Sequence, residues 1–243
     1  MRLFDQEGAS PLGWPFLQRE LRRIQQDTPT RILISGSADT GLMGIVASAL
    51  PEAAEAQIVL AERCETTISQ NRLFARHLQR EVEFHLGDVR ELDCAPVDAV
   101  IAHTFLVYFD DAGQRDVMRA WARCLKPGGV VLMSNRLAPE HLPPRTRVDD
   151  AVVAERLPVI RERAQAVGWG PADLDALSEV AREFWAMPQS RPITERQMRD
   201  NLAQAGLEVV SLEYDDGAAI GPMSRRHATS GYRRAEIMAR KPV

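Results

Sequence analysis

The chain has 243 residues, 45% of them apolar and 26% charged, with a formal net charge of −4. This is enough chain to bury a full core as one large α/β domain, with or without an insertion, and the composition excludes disordered and fibrous classes. The acidic balance offers no footing for nucleic acid or an anionic membrane, no apolar stretch approaches the roughly 20 residues of a membrane span, and three cysteines without a C-x-x-C argue against a disulfide framework or zinc knuckle.

In chain order, residues 1–30 predict one helix, Trp14–Gln26, as a cover for a sheet. The opening MRLFDQEGAS carries acidic residues where a signal peptide needs an apolar core, so a soluble, cytoplasmic protein is expected. From Arg31 onward, short β-branched runs alternate with helical patterns. The runs are Arg31–Gly36, Gln57–Glu62, Val82–Gly87, Val97–Ala102 and Val130–Asn135; the helices are Thr40–Leu50, Thr66–Gln79 and Ala112–Leu125. Asp110 and Asp111 open the last helix, Arg119, Arg123 and Lys126 close it, and Lys126-Pro-Gly-Gly129 reads as its stop.

Such alternation predicts a parallel sheet with helices on both faces. After it, Thr194–Ala205 predicts a helix, and Leu207–Tyr214 and Tyr232–Arg240 a close pair of strands, most easily antiparallel. The expected fold class is therefore α/β, Rossmann-like. Its mixed sheet has seven strands, six parallel and one antiparallel at the edge. Residues 136–190 interrupt the alternation. They are punctuated by Pro139, Pro143, Pro144, Pro158, Pro171 and Pro188, with Leu174, Leu177, Ala181, Phe184 and Trp185 at helical spacing, and are expected to form a helical lid within a single domain spanning 1–243.

Ligands of open parallel sheets sit at the carboxyl ends of the strands. There the sequence supplies the loop Gly36-Ser-Ala-Asp-Thr-Gly41, then Glu62, Gly87-Asp88 and His103. Gly36, Ala38 and Gly41 keep side chains away from backbone N–H groups, and Glu62 comes about 20 residues later, where a carboxylate can accept both ribose hydroxyls. Asp88 suits an exocyclic amine such as adenine's. A second acid after the third strand fits a single nucleoside better than NAD.

Taken together, Ile32-Leu-Ile-Ser-Gly-Ser-Ala-Asp-Thr-Gly41, Ile58-Val-Leu-Ala-Glu62, Leu86-Gly-Asp88, Asp98-Ala-Val-Ile-Ala-His103 and Leu125-Lys-Pro-Gly-Gly-Val-Val-Leu-Met133 resemble the successive motifs of class I S-adenosylmethionine-dependent methyltransferases. The resemblance implies S-adenosyl-L-methionine as cofactor. Gly36, Ser37, Ala38 and Gly41 would lie against its methionine and ribose portion, with Glu62 on the ribose and Arg63 beside it. Asp88 and Val89 would hold the adenine, and His103 would border the methionine end. Ser35 stands where the family commonly has an acid.

His103 is then either a general base or a backbone contact with a packed imidazole, and Tyr108 either flanks the sulfonium or anchors the next helix in the core. Trp14, Asn135, Phe184 and Trp185 are candidate acceptor contacts; alternatively Trp14 staples its helix and Phe184 and Trp185 fill the insertion's own core. The expected activity is methyl transfer to a small molecule. The alternative is use of S-adenosylmethionine without methyl transfer, such as cyclisation to azetidine-2-carboxylate with release of methylthioadenosine. No metal is expected, and the assembly stays open, a homodimer being one option.

Overall fold

Parallel strands buried on both faces need unbroken apolar runs, and Ile32–Ser35 and Ile58–Ala61 are buried throughout. These runs belong to β1 (Arg31–Ser35) and β2 (Gln57–Glu62) of a computed structural model that describes residues 14–24, 30–50, 56–140, 150–186, 193–215 and 233–243. The remaining strands are β3 (Val82–Leu86), β4 (Val97–His103), β5 (Leu125–Ala138), the two-residue β6 (Ile193–Thr194), β7 (Glu208–Asp215) and β8 (Arg233–Arg240). They form one sheet in the order β3-β2-β1-β4-β5-β8-β7, with β6 attached to β5. Strands β1 to β5 are mutually parallel and β8 runs against both neighbours. The strand order reverses between β1 and β4, which places the binding crevice over their carboxyl ends.

Asp98 fixes the opposite end of the sheet. Its carboxylate accepts from the Arg31 backbone at 2.8 Å and from Lys126 Nζ at 2.8 and 2.9 Å, so the starts of β1, β4 and β5 are tied to one side chain.

Helices α1 (Trp14–Ile24), α2 (Gly41–Ala49) and α3 (Glu65–His77) cover one face, burying Phe16, Leu17, Leu21, Ile45 and Val46 against Ile32, Ile34, Ile58 and Leu132. Helices α4 (Asp111–Cys124) and α7 (Glu195–Gln204) cover the other, around Trp121, Val117, Met198 and Leu202. Asp110 caps α4 by accepting from Gly113 N at 2.8 Å, and Thr194 with Gln197 forms a capping box on α7. Between β5 and β6 lie α5 (Asp150–Ala166) and α6 (Pro171–Ala186), which share their own small core.

Four features differ from the sequence expectation. The reversed strand is not at the margin of the sheet: β8 sits one place in, between β5 and β7. The connection through α7 lays β7 down two places from β5, and the chain's last strand fills the gap by pairing with both. Strand β5 runs longer than Val130–Asn135 because Leu125 pairs with Val97 and Leu137 with Ile193 and Arg233. Helix α4 ends by passing straight into that strand, with Leu125 extended at its C-cap. Gly128 takes its positive φ of 79° three residues later, where Gly128 N and Gly129 O pair with Lys241.

The fourth difference is α5, which the prolines concealed. Pro158 sits inside that helix and Pro171 opens α6, where its missing N–H has no partner to lose. Pro143, Pro144 and Pro188 lie outside the described residues.

Candidate functional site

Gly36 follows β1 with φ +74°, a left-handed conformation that turns the chain into the loop. Its N–H donates to Ala61 O at 3.0 Å, continuing the β1–β2 ladder by one residue. A Cβ on Gly36 would meet the Phe105 ring at 2.3 Å, so the aromatic ring packs directly on the glycine. The loop is closed by Asp39, whose Oδ1 accepts from Gly41 N at 2.7 Å at the start of α2. Buried Asn71 of α3 donates to Asp39 O at 3.3 Å and to Thr67 O at 2.9 Å, fastening the loop to a second element.

Glu62 ends β2 beside this loop. Its Oε2 accepts from Ser37 N at 3.0 Å and its Oε1 from Cys64 N at 2.9 Å. Each oxygen keeps acceptor capacity beyond that one bond, so the carboxylate can take two further donors. Ala38 and Arg63, on either side, are exposed.

Asp88 comes after β3 and opens a 3₁₀ turn over Val89–Glu91. Its carboxylate accepts from Arg90 N at 2.9 Å and from the Arg90 guanidinium at 2.6 to 3.1 Å. The Arg90 side chain is the main cause that holds the Asp88 carboxyl below its ordinary value of 3.8, against the opposing effect of burial. Arg90 also lies 5.5 Å from the Phe109 ring centroid. Val89 is buried in the α4-side core.

His103 ends β4 half-buried, opposite Ser134 of β5. Thr104 then takes a left-handed φ of 49° and donates to Ser134 O at 2.7 Å. The next turn, Leu106–Tyr108, is held by buried Gln114, whose Nε2 donates to Leu106 O and Phe109 O, both at 3.2 Å. Ser35, at the end of β1, is fully buried and accepts from Trp121 Nε1 at 2.8 Å.

A cleft of about 890 Å³ opens elsewhere, between α1, the amino ends of β4 and β5, and β7–β8. Its Glu20 is paired with Arg19 and Arg23 and its Asp98 with Lys126, and the 36–41 loop does not line it.

Residues 41–129 match a family profile described as Methyltransferase domain. The fold agrees with this over the whole chain. A structure of an S-adenosylmethionine-dependent methyltransferase from Clostridium acetobutylicum superposes with a TM-score of 0.64 at 10% identity, covering 100% of this chain and 96% of that one. Residues 41–129 are thus similar to methyltransferase domains, and the chain has the fold of that solved methyltransferase.

The same arrangement occurs in 1,6-didemethyltoxoflavin-N1-methyltransferase of Burkholderia thailandensis, solved with 1,6-didemethyltoxoflavin and S-adenosylhomocysteine bound. That match has a TM-score of 0.60 and 14% identity, over 96% of this chain and 80% of that one. It occurs also in the 4+2 cyclase SpnF, with a TM-score of 0.62 and 17% identity over 94% and 80% of the two chains. A comparison with curated proteins finds no match.

In this fold Gly36, Ser37, Ala38, Gly41, Glu62, Asp88 and His103 converge at the carboxyl ends of β1 to β4. Tyr108 is 71% exposed, so the reading in which it anchors α4 in the core is wrong; Gln114 performs that task. Asn135 is buried on β5, its Nδ2 donating to Arg136 O at 3.1 Å. Trp185, expected against an acceptor, is fully buried with Leu157, Ile160 and Leu174, because α5 and α6 close their own core around it; Phe184 is half-buried beside it. The Trp14 side chain lies outside the described residues.

Sequence reading missed Phe105, Asn71 and Arg90. Phe105 and Arg90 each lie two residues beyond an identified site residue, and that proximity was the available signal.

This geometry sets two measurable outcomes. Ser35 partners an indole at the centre of the core. Ser35→Ala is expected to lower stability by about 1–3 kcal/mol, the cost of leaving a buried donor without a partner. Ser35→Asp should lower it further by burying a charge. Chemical denaturation checks both.

The second concerns pH. A depressed carboxyl is ionised at and above the ordinary value of 3.8, so the stability it confers is complete there and is lost as pH falls through the lowered native value. Binding that uses this carboxylate should show the same acid limb. In Arg90→Ala that limb is expected to move to higher pH in a titration of S-adenosylhomocysteine affinity. A limb that stays in place removes Arg90 from the site.

Proposed function

We propose that the protein is an S-adenosylmethionine-dependent methyltransferase acting on a small molecule. The observation that carries this reading is Glu62, held at 3.0 Å by the N–H of Ser37 and at 2.9 Å by that of Cys64, with acceptor capacity left for two ribose hydroxyls. Bound at these strand ends, the cofactor supplies a methyl group on a sulfonium, to be taken in line by an acceptor atom. The chain's residues hold and orient it: the 36–41 loop admits the ribose and methionine chain, Asp88 accepts the adenine amine, and Arg63 flanks the ribose.

His103, at the methionine end, accepts the proton that an O–H or N–H acceptor gives up. Exposed Tyr108 presents a ring face to the positive charge, and Phe184 contacts the acceptor. The α5–α6 hairpin covers the acceptor side and excludes water. The relative solved with 1,6-didemethyltoxoflavin and S-adenosylhomocysteine lends support for a small acceptor.

The 4+2 cyclase SpnF has the same fold and is named for a reaction other than methyl transfer; use of S-adenosylmethionine without methyl transfer is the second reading. Incubation with S-adenosylmethionine, with and without a panel of small hydroxyl and amine acceptors, separates the two by chromatography. Acceptor-dependent S-adenosylhomocysteine is expected. Catalytic formation of methylthioadenosine without any acceptor would establish the second reading instead.

A further inference from the structure

The candidate site is one row of residues across the sheet. Glu62 lies opposite Leu86 of β3, Gly36 continues the β1 register between Glu62 and His103, His103 lies opposite Ser134, Ser134 opposite Glu236 of β8, and Glu236 opposite Glu213 of β7. Alternation along each strand fixes which face these side chains take. On β5, Val130 and Leu132 belong to the α1–α2 core whereas Val131 and Met133 belong to the α4 core, so Ser134 faces α1 and α2. On β4, Ala99 and Ile101 face the same way, and His103 with them. On β8, Ala235, Ile237 and Ala239 face α4, which turns Glu236 to the α1 side along with Met238.

An imidazole, a hydroxyl and a carboxylate therefore stand side by side on one face of three adjacent strands. Directly opposed residues in a sheet have Cβ atoms about 4.5–5.5 Å apart, within reach of a serine rotamer on either side. The middle group is the anomaly. Ser134 is fully buried and its Oγ has no hydrogen-bond partner. A buried hydroxyl left in that state calls for an explanation, and its two neighbours supply one.

We propose that Ser134 is a positioning residue that links His103 to Glu236. A change of serine rotamer lets its Oγ, unpaired in the structure, accept from the His103 Nδ1–H and donate its own proton to the Glu236 carboxylate. The tautomer is thereby fixed with Nε2 as the unprotonated nitrogen, and the charge that His103 gains with the acceptor's proton is matched by Glu236. The proposal rests on the reading of His103 as proton acceptor. Among the described residues, the other charged groups around the row include Glu62 across Gly36, Asp39 in the loop, Glu213 beyond Glu236, and Arg19 of α1, which interacts with both Glu213 and Glu236. Helix α2 contributes no charged residue.

The test is an NMR titration of the imidazole Cε1–H signals in the full chain, with His103 assigned by its disappearance in His103→Gln. In wild type the linkage should hold the His103 pKa up, and in Ser134→Ala and in Glu236→Gln it is expected to fall by at least about half a pH unit. Ser134→Thr, which keeps the hydroxyl, should restore it. Glu236 is half-buried, so Glu236→Gln preserves the comparison if Ser134→Ala fails to fold. A His103 that titrates identically in wild type, Ser134→Ala and Glu236→Gln overturns the proposal. Calorimetry with S-adenosylhomocysteine on the same samples keeps the two readings apart: absence of binding by wild type removes the cofactor reading, whereas binding with an unchanged titration removes only the linkage.

Discussion

Glu62→Ala is expected to weaken S-adenosylhomocysteine binding by at least about 3 kcal/mol, roughly a hundredfold, since a hydrogen bond to a charged group contributes about 1.5–3 kcal/mol and two such bonds to the ribose are lost. The structure adds a second reason. The same carboxylate pins Ser37 N of the glycine loop and Cys64 N of the β2–α3 turn, so its removal also releases the two segments that form the ribose wall. Glu62→Gln tests this separately, because an amide nitrogen in place of one oxygen would face a backbone N–H. It should bind more weakly than wild type even though it keeps the side chain's size. His103→Ala, at the methionine end, is expected to lose less affinity than Glu62→Ala, and calorimetry on the three variants ranks them. Equal affinity in Glu62→Ala and His103→Ala contradicts the ribose assignment.

Gly36→Ala is the second large effect. The residue has φ +74°, where a side chain costs about 1–3 kcal/mol, and the added Cβ would lie 2.3 Å from two carbons of the Phe105 ring. Phe105 has little room to retreat: its ring centroid is 5.1 Å from that of Phe109 and 6.4 Å from that of Trp121. Overpacking of this kind adds a further cost of about 1–3 kcal/mol. A total of roughly 2–6 kcal/mol should lower the melting temperature by about 4–24 °C in a chain of this length. The variant Gly36→Ala with Phe105→Ala separates the two causes, since it relieves the clash and keeps the backbone strain. It should therefore recover stability relative to Gly36→Ala with its own cavity cost subtracted. Gly36→Ala melting at the wild-type temperature would show that this turn relaxes freely.

The parts of the fold legible in the sequence were those whose physics is local. Ile32–Ile34, Ile58–Leu60 and Val130–Met133 announce buried strands because each must be apolar on both faces, and Glu62 and Asp88 stood out as carboxylates where those runs stop. Helix α5 was hidden for an equally local reason. Its apolar residues, among them Val152, Leu157, Val159 and Ile160, are spread around the helix, and Pro158 interrupts it in sequence without ending it.

Pairing at long range could not be read. Nothing in Ser35 indicates an indole 86 residues away, and nothing in Ser134 indicates that His103 and Glu236 flank it. The place of β8 between β5 and β7 is likewise a contact among distant segments. The Asp88–Arg90 pair is different: two residues apart at the start of a turn, it was within reach of sequence reasoning.

The central claim is that the carboxyl ends of β1 to β4 hold a single nucleoside with a methionine tail. The most direct test is isothermal titration of the purified chain with S-adenosylhomocysteine and, separately, with NAD. Saturable binding of S-adenosylhomocysteine that is lost in Glu62→Ala, with no heat from NAD, is the result the account predicts. Binding of NAD without binding of S-adenosylhomocysteine would contradict it.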